Sequence, residues 1–371
     1  MSEQWIAERM HCFESSGIRK MFELAAKMTD PIDLSIGQPD FDVPEPAKQA
    51  AIEAIRSGRN GYALSQGIPA LREKLQARID RQYGHEDREV FVTCGSSGGL
   101  VLAMLVLLNP GDEVIVFDPY FVIYNAMAGV AGGKVVYIDT YPDFHIDPDR
   151  VARAITPRTK LMICNSPANP TGVVAGREEV RGLAELAAER NVVLLSDEIY
   201  RDFCYDGALV SPAEYNPRTL VVDGFSKSYG MPGWRLGFAH GPSAVIREMI
   251  KLQQYSFVCA PQPAQWAGAA ALDLDVSAQT AAYRRKRDML VEGLADDYEL
   301  VRPGGAFYAF PKLPWGTGME FAEKAIANNL LIIPGHVFSR WDTHFRISYA
   351  VADAMIGRGI EVLRELARRR G

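Results

Sequence analysis

"TLVVDGFSKSYGMPGWRLGFAHG", residues 219–241, holds two apolar runs that read as strands, with a short link between them. A parallel neighbour needs a crossover of a dozen or more residues, usually through a helix. Between Gly224 and Arg235 there is hardly room for one, so the strand that starts near Arg235 is expected to run antiparallel. Upstream the pattern differs. "EVFVT" (89–93), "DEVIVF" (112–117), "KVVYID" (134–139), "KLMIC" (160–164) and "VVLLS" (192–196) are apolar, β-branched runs. Most are separated by helix-length segments, of which "REEVRGLAELAAERN" is clearly amphipathic with an acidic first turn. The alternation predicts an α/β fold, a mostly parallel sheet covered by helices on both faces.

At 371 residues the chain is long enough for two domains, or one large domain with an appendage. After about residue 272 the pattern changes to long helices with short strands such as "AFYAF" and "FRISYA", and residues 1–45 lead with a proline-rich segment, "GQPDFDVPEP". The expected division is an N-terminal arm and part of a small domain over 1–45, a large domain over 46–272, and the rest of the small domain over 273–371.

Apolar residues make up 48% and charged residues 23%, the balance of a globular protein with a sizeable core. A net charge of -6, spread along the chain, argues against a nucleic-acid surface. The dense basic run Arg284, Arg285, Lys286 and Arg287 reads as the solvated face of a helix. "LVLAMLVLL" (100–108) is the longest apolar run and too short to span a bilayer, so it reads as a buried helix and no membrane is expected. "MSEQWIAERM" lacks the apolar core of a targeting signal. Cysteines 12, 94, 164, 204 and 259 form no CxxC pair, which suits buried thiols in a reducing compartment and a cytoplasmic enzyme.

Ligands of open α/β sheets bind beyond the carboxyl ends of the strands. There the chain places Asp197 and Tyr200 in "DEIY", Ser226 and Lys227 in "GFSK", Asn169 in "ANPTG", and the helix-opening "CGSSGG" (94–99). The last offers backbone N–H groups, two hydroxyls and a helix dipole, all suited to phosphate. It lacks both the Lys-Ser/Thr ending of a P-loop and the GxGxxG of a dinucleotide site. Each component has a bland reading: Asp197 as a helix N-cap, "NPTG" as a β-turn, Arg235 as a surface cation. Lys227 resists one. Phe225, Tyr229, Met231 and Trp234 are expected to keep it dry and lower its pKa, as a Schiff-base lysine requires. An aldehyde cofactor that also needs a phosphate nest and an acid for its ring nitrogen is pyridoxal 5'-phosphate.

"NPTG", "DEIY", "SK" and "GWRLG", in that order and spacing, make the chain resemble the class I/II aminotransferases, from "SIGQPDFDVP" to "FRISYA". The resemblance implies fold type I: a large domain with a mostly parallel seven-stranded sheet between helices, and a small α+β domain from both termini. It implies transfer of an amino group between an L-amino acid and a 2-oxo acid by ping-pong transamination. It also implies a role for each matching residue. Lys227 is expected to hold the cofactor and move the substrate's proton, Asp197 to pair with the pyridinium, and Tyr200 and Asn169 to bond the phenolic oxygen. Ser96, Ser97 and Arg235 fall where the family binds phosphate, and Phe121 where a ring stacks on the pyridine. Tyr62 matches a tyrosine that reaches the phosphate of the partner subunit, which implies a homodimer with shared active sites. Arg346 matches the arginine that grips the substrate's α-carboxylate, and Gly37 a glycine whose backbone approaches it.

Departures are visible. Gly224 stands where many members carry serine, and Ser226 is expected to supply the missing hydroxyl. Ser339 stands where glycine is frequent, Trp341 has no assignable role, and His336 reads as structural. Phe307 is open between pocket wall and core, and Arg19 is one candidate for the pocket mouth. No second arginine is evident for a distal carboxylate, so the donor stays open. A carbon–sulfur β-lyase or an ACC-synthase-like enzyme would share this site and is the alternative reading. A regulator built on the fold would need a helix-turn-helix domain in front, and a degenerate binding protein is disfavoured by the intact lysine, aspartate and arginine.

Overall fold

The structure, a computed structural model, describes residues 3–14, 17–18 and 26–368; Arg19 lies outside them. After a short strand β1 (Ile32–Asp33), seven strands form the main sheet: β2 (Arg88–Thr93), β3 (Glu113–Asp118), β4 (Lys134–Asp139), β5 (Thr159–Asn165), β6 (Val193–Asp197), β7 (Leu220–Gly224) and β8 (Gly237–Pro242). Their spatial order is β2-β8-β7-β6-β5-β3-β4. All pairings are parallel except those of β8, which runs antiparallel to both β7 and β2. The short link after Gly224 leaves no other solution.

Successive strand residues face opposite sides, and both sides are buried. Val114, Val116, Leu161, Ile163 and Leu195 join one apolar cluster with Leu100, Met104, Ile246 and Met249, from the helices Gly95–Leu107 and Ser243–Tyr255. Ile115, Phe117, Met162, Cys164 and Leu194 join the other with Leu183 and Ala187 of the helix Arg177–Arg190. Each buried leucine in these layers contributes roughly 1.5–3 kcal/mol.

The chain ends build a smaller α+β part. β1 pairs in parallel with β10 (Leu330–Leu331). β9 (Tyr308–Ala309), β11 (Ile333–Pro334) and β12 (Phe345–Ser348) make an antiparallel sheet in the order β11-β12-β9. Its core draws Ile32 and Leu34 together with Tyr283, Leu290, Phe345 and Leu363, and with Ile199, Tyr200 and Phe203 from the loop after β6. That shared core fixes the β6 loop against the smaller part.

Two expectations need correction. The basic run is not a solvated face: in the helix Ser277–Leu294, Arg284 and Arg285 are exposed, but Arg287 is buried and donates to Asp206 (3.0 Å), Asp288 (2.6 Å) and the Pro303 carbonyl (2.9 Å). Nor are all the thiols buried, since Cys12 is exposed and only Cys164 is fully enclosed. Among the described residues no helix is long and apolar enough to cross a membrane.

Candidate active site

A cavity of about 420 Å³ opens beyond the carboxyl ends of β5, β6 and β7, where the smaller part closes over them. Gly37, Ser96, Ser97, Phe121, Asn169, Asp197, Tyr200, Ser226, Lys227, Arg235 and Arg346 all line it. Of the expected site residues only Tyr62 stands elsewhere, 86% exposed on the surface.

Lys227 follows β7 and its Nζ donates to the Gly37 carbonyl at 2.5 Å. Burial lowers its pKa to about 8, helped by the nearby Arg346 and Arg235 cations and opposed by Asp197. The dry surroundings come from Tyr200 and Phe307, whose ring centroids lie 5.6 Å from Nζ. Phe225, Tyr229, Met231 and Trp234 pack instead in a separate cluster behind the strand, against Ala264 and Ala267.

Asp197 ends β6, and no helix starts there for it to cap. Its Oδ2 accepts from the Tyr124 hydroxyl at 2.7 Å and its Oδ1 from the Ile199 amide at 3.3 Å. Burial nevertheless raises its pKa to about 6. A carboxylate so placed gains from a cationic neighbour in the cavity.

Arg346, on β12, is 1% exposed. It donates to Asn169 Oδ1 at 2.9 Å and to the Ser35 carbonyl at 2.7 Å, between the rings of Tyr308 (4.5 Å) and Phe338 (4.6 Å). Its Nε has no partner within the protein. This guanidinium is held by two hydrogen bonds and two rings and lines the cavity, a placement suited to a carboxylate.

The helix Gly95–Leu107 includes the glycine-serine stretch as its first turn, and no side chain caps it. Its first N–H groups, with Ser96 and Ser97, therefore face the cavity free. Arg235 sits in the left-handed region (φ 54°), donates to the Pro232 carbonyl at 2.8 Å, and lies so close to Gly95 that a methyl group there would overlap its guanidinium. Gly95 itself has φ 72°.

This ordered set of lysine, aspartate, asparagine and arginine on one seven-stranded sheet invites comparison with known proteins. Residues 29–363 match the model of the family described as aminotransferase class I and II. The chain is 38% identical to a probable aspartate aminotransferase of Methanocaldococcus jannaschii, over 97% of this chain and 99% of that one. It is 40% identical to the aspartate/prephenate aminotransferase of Thermus thermophilus, over 92% of each. The solved structure of aspartate aminotransferase from Thermus thermophilus with maleate superposes with a TM-score of 0.93 at 38% identity, covering 97% of this chain and 99% of that one. The chain belongs to the class I/II aminotransferases. It is a pyridoxal-phosphate-dependent transaminase.

The residues of this aminotransferase fit that cofactor. The uncapped helix start with Arg235 is a cradle for a phosphate, the buried Asp197 carboxylate suits a pyridinium, and Lys227 is an amine of lowered pKa. Of the alternative roles weighed, the turn at "NPTG" is present, closed by the Gly172 amide on the Ala168 carbonyl at 2.9 Å, while Asp197 caps no helix. Tyr124 and Tyr308 also line it, and sequence reasoning passed over both. "DPYFVIY" contained Tyr124, but only Phe121 drew notice. In "AFYAF" Tyr308 faces the cavity, while Phe307 is fully buried and packs edge-on against Tyr200 at 5.3 Å. His336 bonds Asp342 at 3.3 Å and Ser339 accepts from Tyr141 at 3.0 Å; neither lines the cavity, and nothing explains the exposed Trp341.

Proposed function

We propose that the chain transaminates L-amino acids with apolar or aromatic side chains, with Arg346 binding the α-carboxylate and Lys227 moving the proton. The observation that carries this reading is the placement of Lys227, Asp197, Arg346 and the uncapped helix start around one cavity. When bound, pyridoxal phosphate supplies the aldehyde with which an amine condenses and the ring that takes up an electron pair. With that group bound, Lys227 Nζ would serve as the base that takes the proton from the substrate's Cα and gives it back. Asp197 holds the ring nitrogen protonated. Asn169 and Tyr200 would bond the phenolic oxygen, Phe121 would cover the ring, and Ser96, Ser97, Ser226 and Arg235 would hold the phosphate. Gly37 lets its backbone approach the carboxylate. Water would release the 2-oxo acid and leave the amino nitrogen behind, and a second oxo acid would take that nitrogen by the reverse steps, giving the water back.

The wall left for the side chain is apolar: Ile18 and Val122. Among the described residues the cations on the cavity are Lys227, Arg235 and Arg346, each with a proposed task. The relatives reported above are named for aspartate or for aspartate and prephenate, both of which carry a second carboxylate; the apolar wall here favours an uncharged side chain instead. Adding single amino acids without any oxo acid to the cofactor-loaded protein should therefore bleach its visible absorption, fastest with apolar or aromatic donors. Faster bleaching by aspartate overturns the wall assignment. An unchanged band accompanied by ammonia and pyruvate favours the β-lyase.

We infer a homodimer. Tyr62 and Leu64 stand 86% and 55% exposed beside Tyr255, Phe257 and Val258 at 86%, 39% and 40%. The two segments are tied by the Gln253 amide on the Ser65 carbonyl, and Phe257 lies next to Gly98 in the cradle helix. A patch of this kind is covered in most proteins. Sedimentation should give about twice the 41.0 kDa chain mass, and Tyr62→Ala should loosen the cofactor roughly tenfold by removing one hydrogen bond to phosphate. An active monomer refutes the shared site.

A further inference from the structure

Tyr308 stands at the meeting point of three groups that the transamination reading uses. Its hydroxyl lies 2.8 Å from the Tyr200 hydroxyl, and its ring lies against the Arg346 guanidinium, 4.5 Å to the centroid. A methyl group on residue 37 would come within 2.5 Å of the same hydroxyl, so the close approach of Tyr308 also explains Gly37. The side chain is 1% exposed and belongs to the core of the smaller part, which holds it still.

We propose that Tyr308 is a positioning residue that fixes the direction in which Tyr200 offers its proton, and that backs the carboxylate-binding face of Arg346. The inference rests on Tyr200 bonding the cofactor's phenolic oxygen. Each hydroxyl carries one proton and can accept others. Neither has another hydrogen-bond partner among the described residues. One proton is used inside the pair, and the other is left for the cavity. With an anionic oxygen beside Tyr200, the arrangement that satisfies every group has Tyr308 donating to Tyr200 and Tyr200 donating onward. A donor that itself accepts a hydrogen bond is polarised and donates more strongly. Arg346, Asp197 and Lys227 are the charged groups facing the pair, from β12, the end of β6 and the loop after β7. They stay in place when either hydroxyl is removed.

The test is a pH titration of the visible band of the cofactor-loaded protein, in wild type, Tyr200→Phe, Tyr308→Phe and the double variant. Removing the Tyr200 donor should raise the band's pKa by about one unit or more, because the deprotonated form loses a charge-assisted bond. Tyr308→Phe should raise it by about half a unit. In the double variant the shift should equal that of Tyr200→Phe alone. No shift in Tyr308→Phe, or a shift that adds to that of Tyr200→Phe, overturns the inference while leaving the Tyr200 role intact. No shift in Tyr200→Phe instead removes the reading beneath it. The ring provides a second readout. Tyr308→Phe should leave KM for the amino donor within about twofold, whereas Tyr308→Leu, which removes the ring from Arg346, should raise KM about fivefold. An unchanged KM in Tyr308→Leu refutes the backing role.

Discussion

Lys227→Ala lowers transamination at least about 10⁴-fold, since one side chain serves as both nucleophile and base. No neighbour can take over. Tyr200, whose ring lies 5.6 Å from Nζ, is a buried phenol whose pKa lies well above the ordinary value. Arg346 and Arg235 are guanidinium groups that cannot give up a proton at neutral pH. The variant should still fold. Lys227 lines an existing cavity, so truncation widens that space rather than opening a sealed void. Its pKa, about 8 against 10.5, shows that burial disfavours the charged form. The folded cofactor-free protein therefore binds fewer protons than the unfolded chain between about pH 8 and 10.5, and stability rises with pH across that window. Lys227→Ala should abolish this rise, and at pH 7 its melting temperature should not fall below that of the wild type. Residual turnover within tenfold of wild type would dismiss the assignment of the base.

The strands were legible, and so was the set of residues that the fold gathers on one cavity, because both follow from simple constraints. β4 occupies the predicted 134–139, and the other four runs read upstream of the opening stretch fall within one residue of their observed ends. Apolar runs buried on both faces leave little freedom in strand placement. The antiparallel β8 followed from chain length alone. What the sequence concealed was direction. "AFYAF" is apolar on either parity, so nothing in it told whether Phe307 or Tyr308 faced the cavity; the answer depends on β9 pairing Tyr308 with Ser348. The basic run hid a period that was present. Tyr283, Arg287, Leu290 and Leu294 lie on one helix face, and Arg287 is tolerated inside because Asp206, Asp288 and the Pro303 carbonyl satisfy it. For Lys227, residues near in sequence were assigned the drying role that Tyr200 and Phe307, brought in by other segments, perform.

Asp197→Asn should lower kcat about 10³-fold, the loss expected when a buried group stabilising transition-state charge is removed. The amide keeps the size of the carboxylate; with its oxygen on the Ile199 amide its NH2 can donate to the Tyr124 hydroxyl, so both contacts survive and the main change is charge. A neutral amide cannot hold a pyridinium, and the ring loses most of its capacity to take up electrons. Cofactor affinity should fall with it. The pH behaviour separates this from a folding defect. Burial raises the Asp197 pKa from 3.8 to about 6, so the folded cofactor-free protein binds more protons than the unfolded chain between about pH 4 and 6. Stability from this group is therefore greatest at the acid end of that window, declines across it, and is gone once the pH has passed about 6. The asparagine variant lacks this decline, so its cofactor-free form should melt no lower than wild type at pH 7 while being nearly inactive. An asparagine variant that turns over at the wild-type rate would place the partner of the ring nitrogen on another residue. One that melts well below wild type would show that the Asp197 charge supports the fold rather than the cofactor.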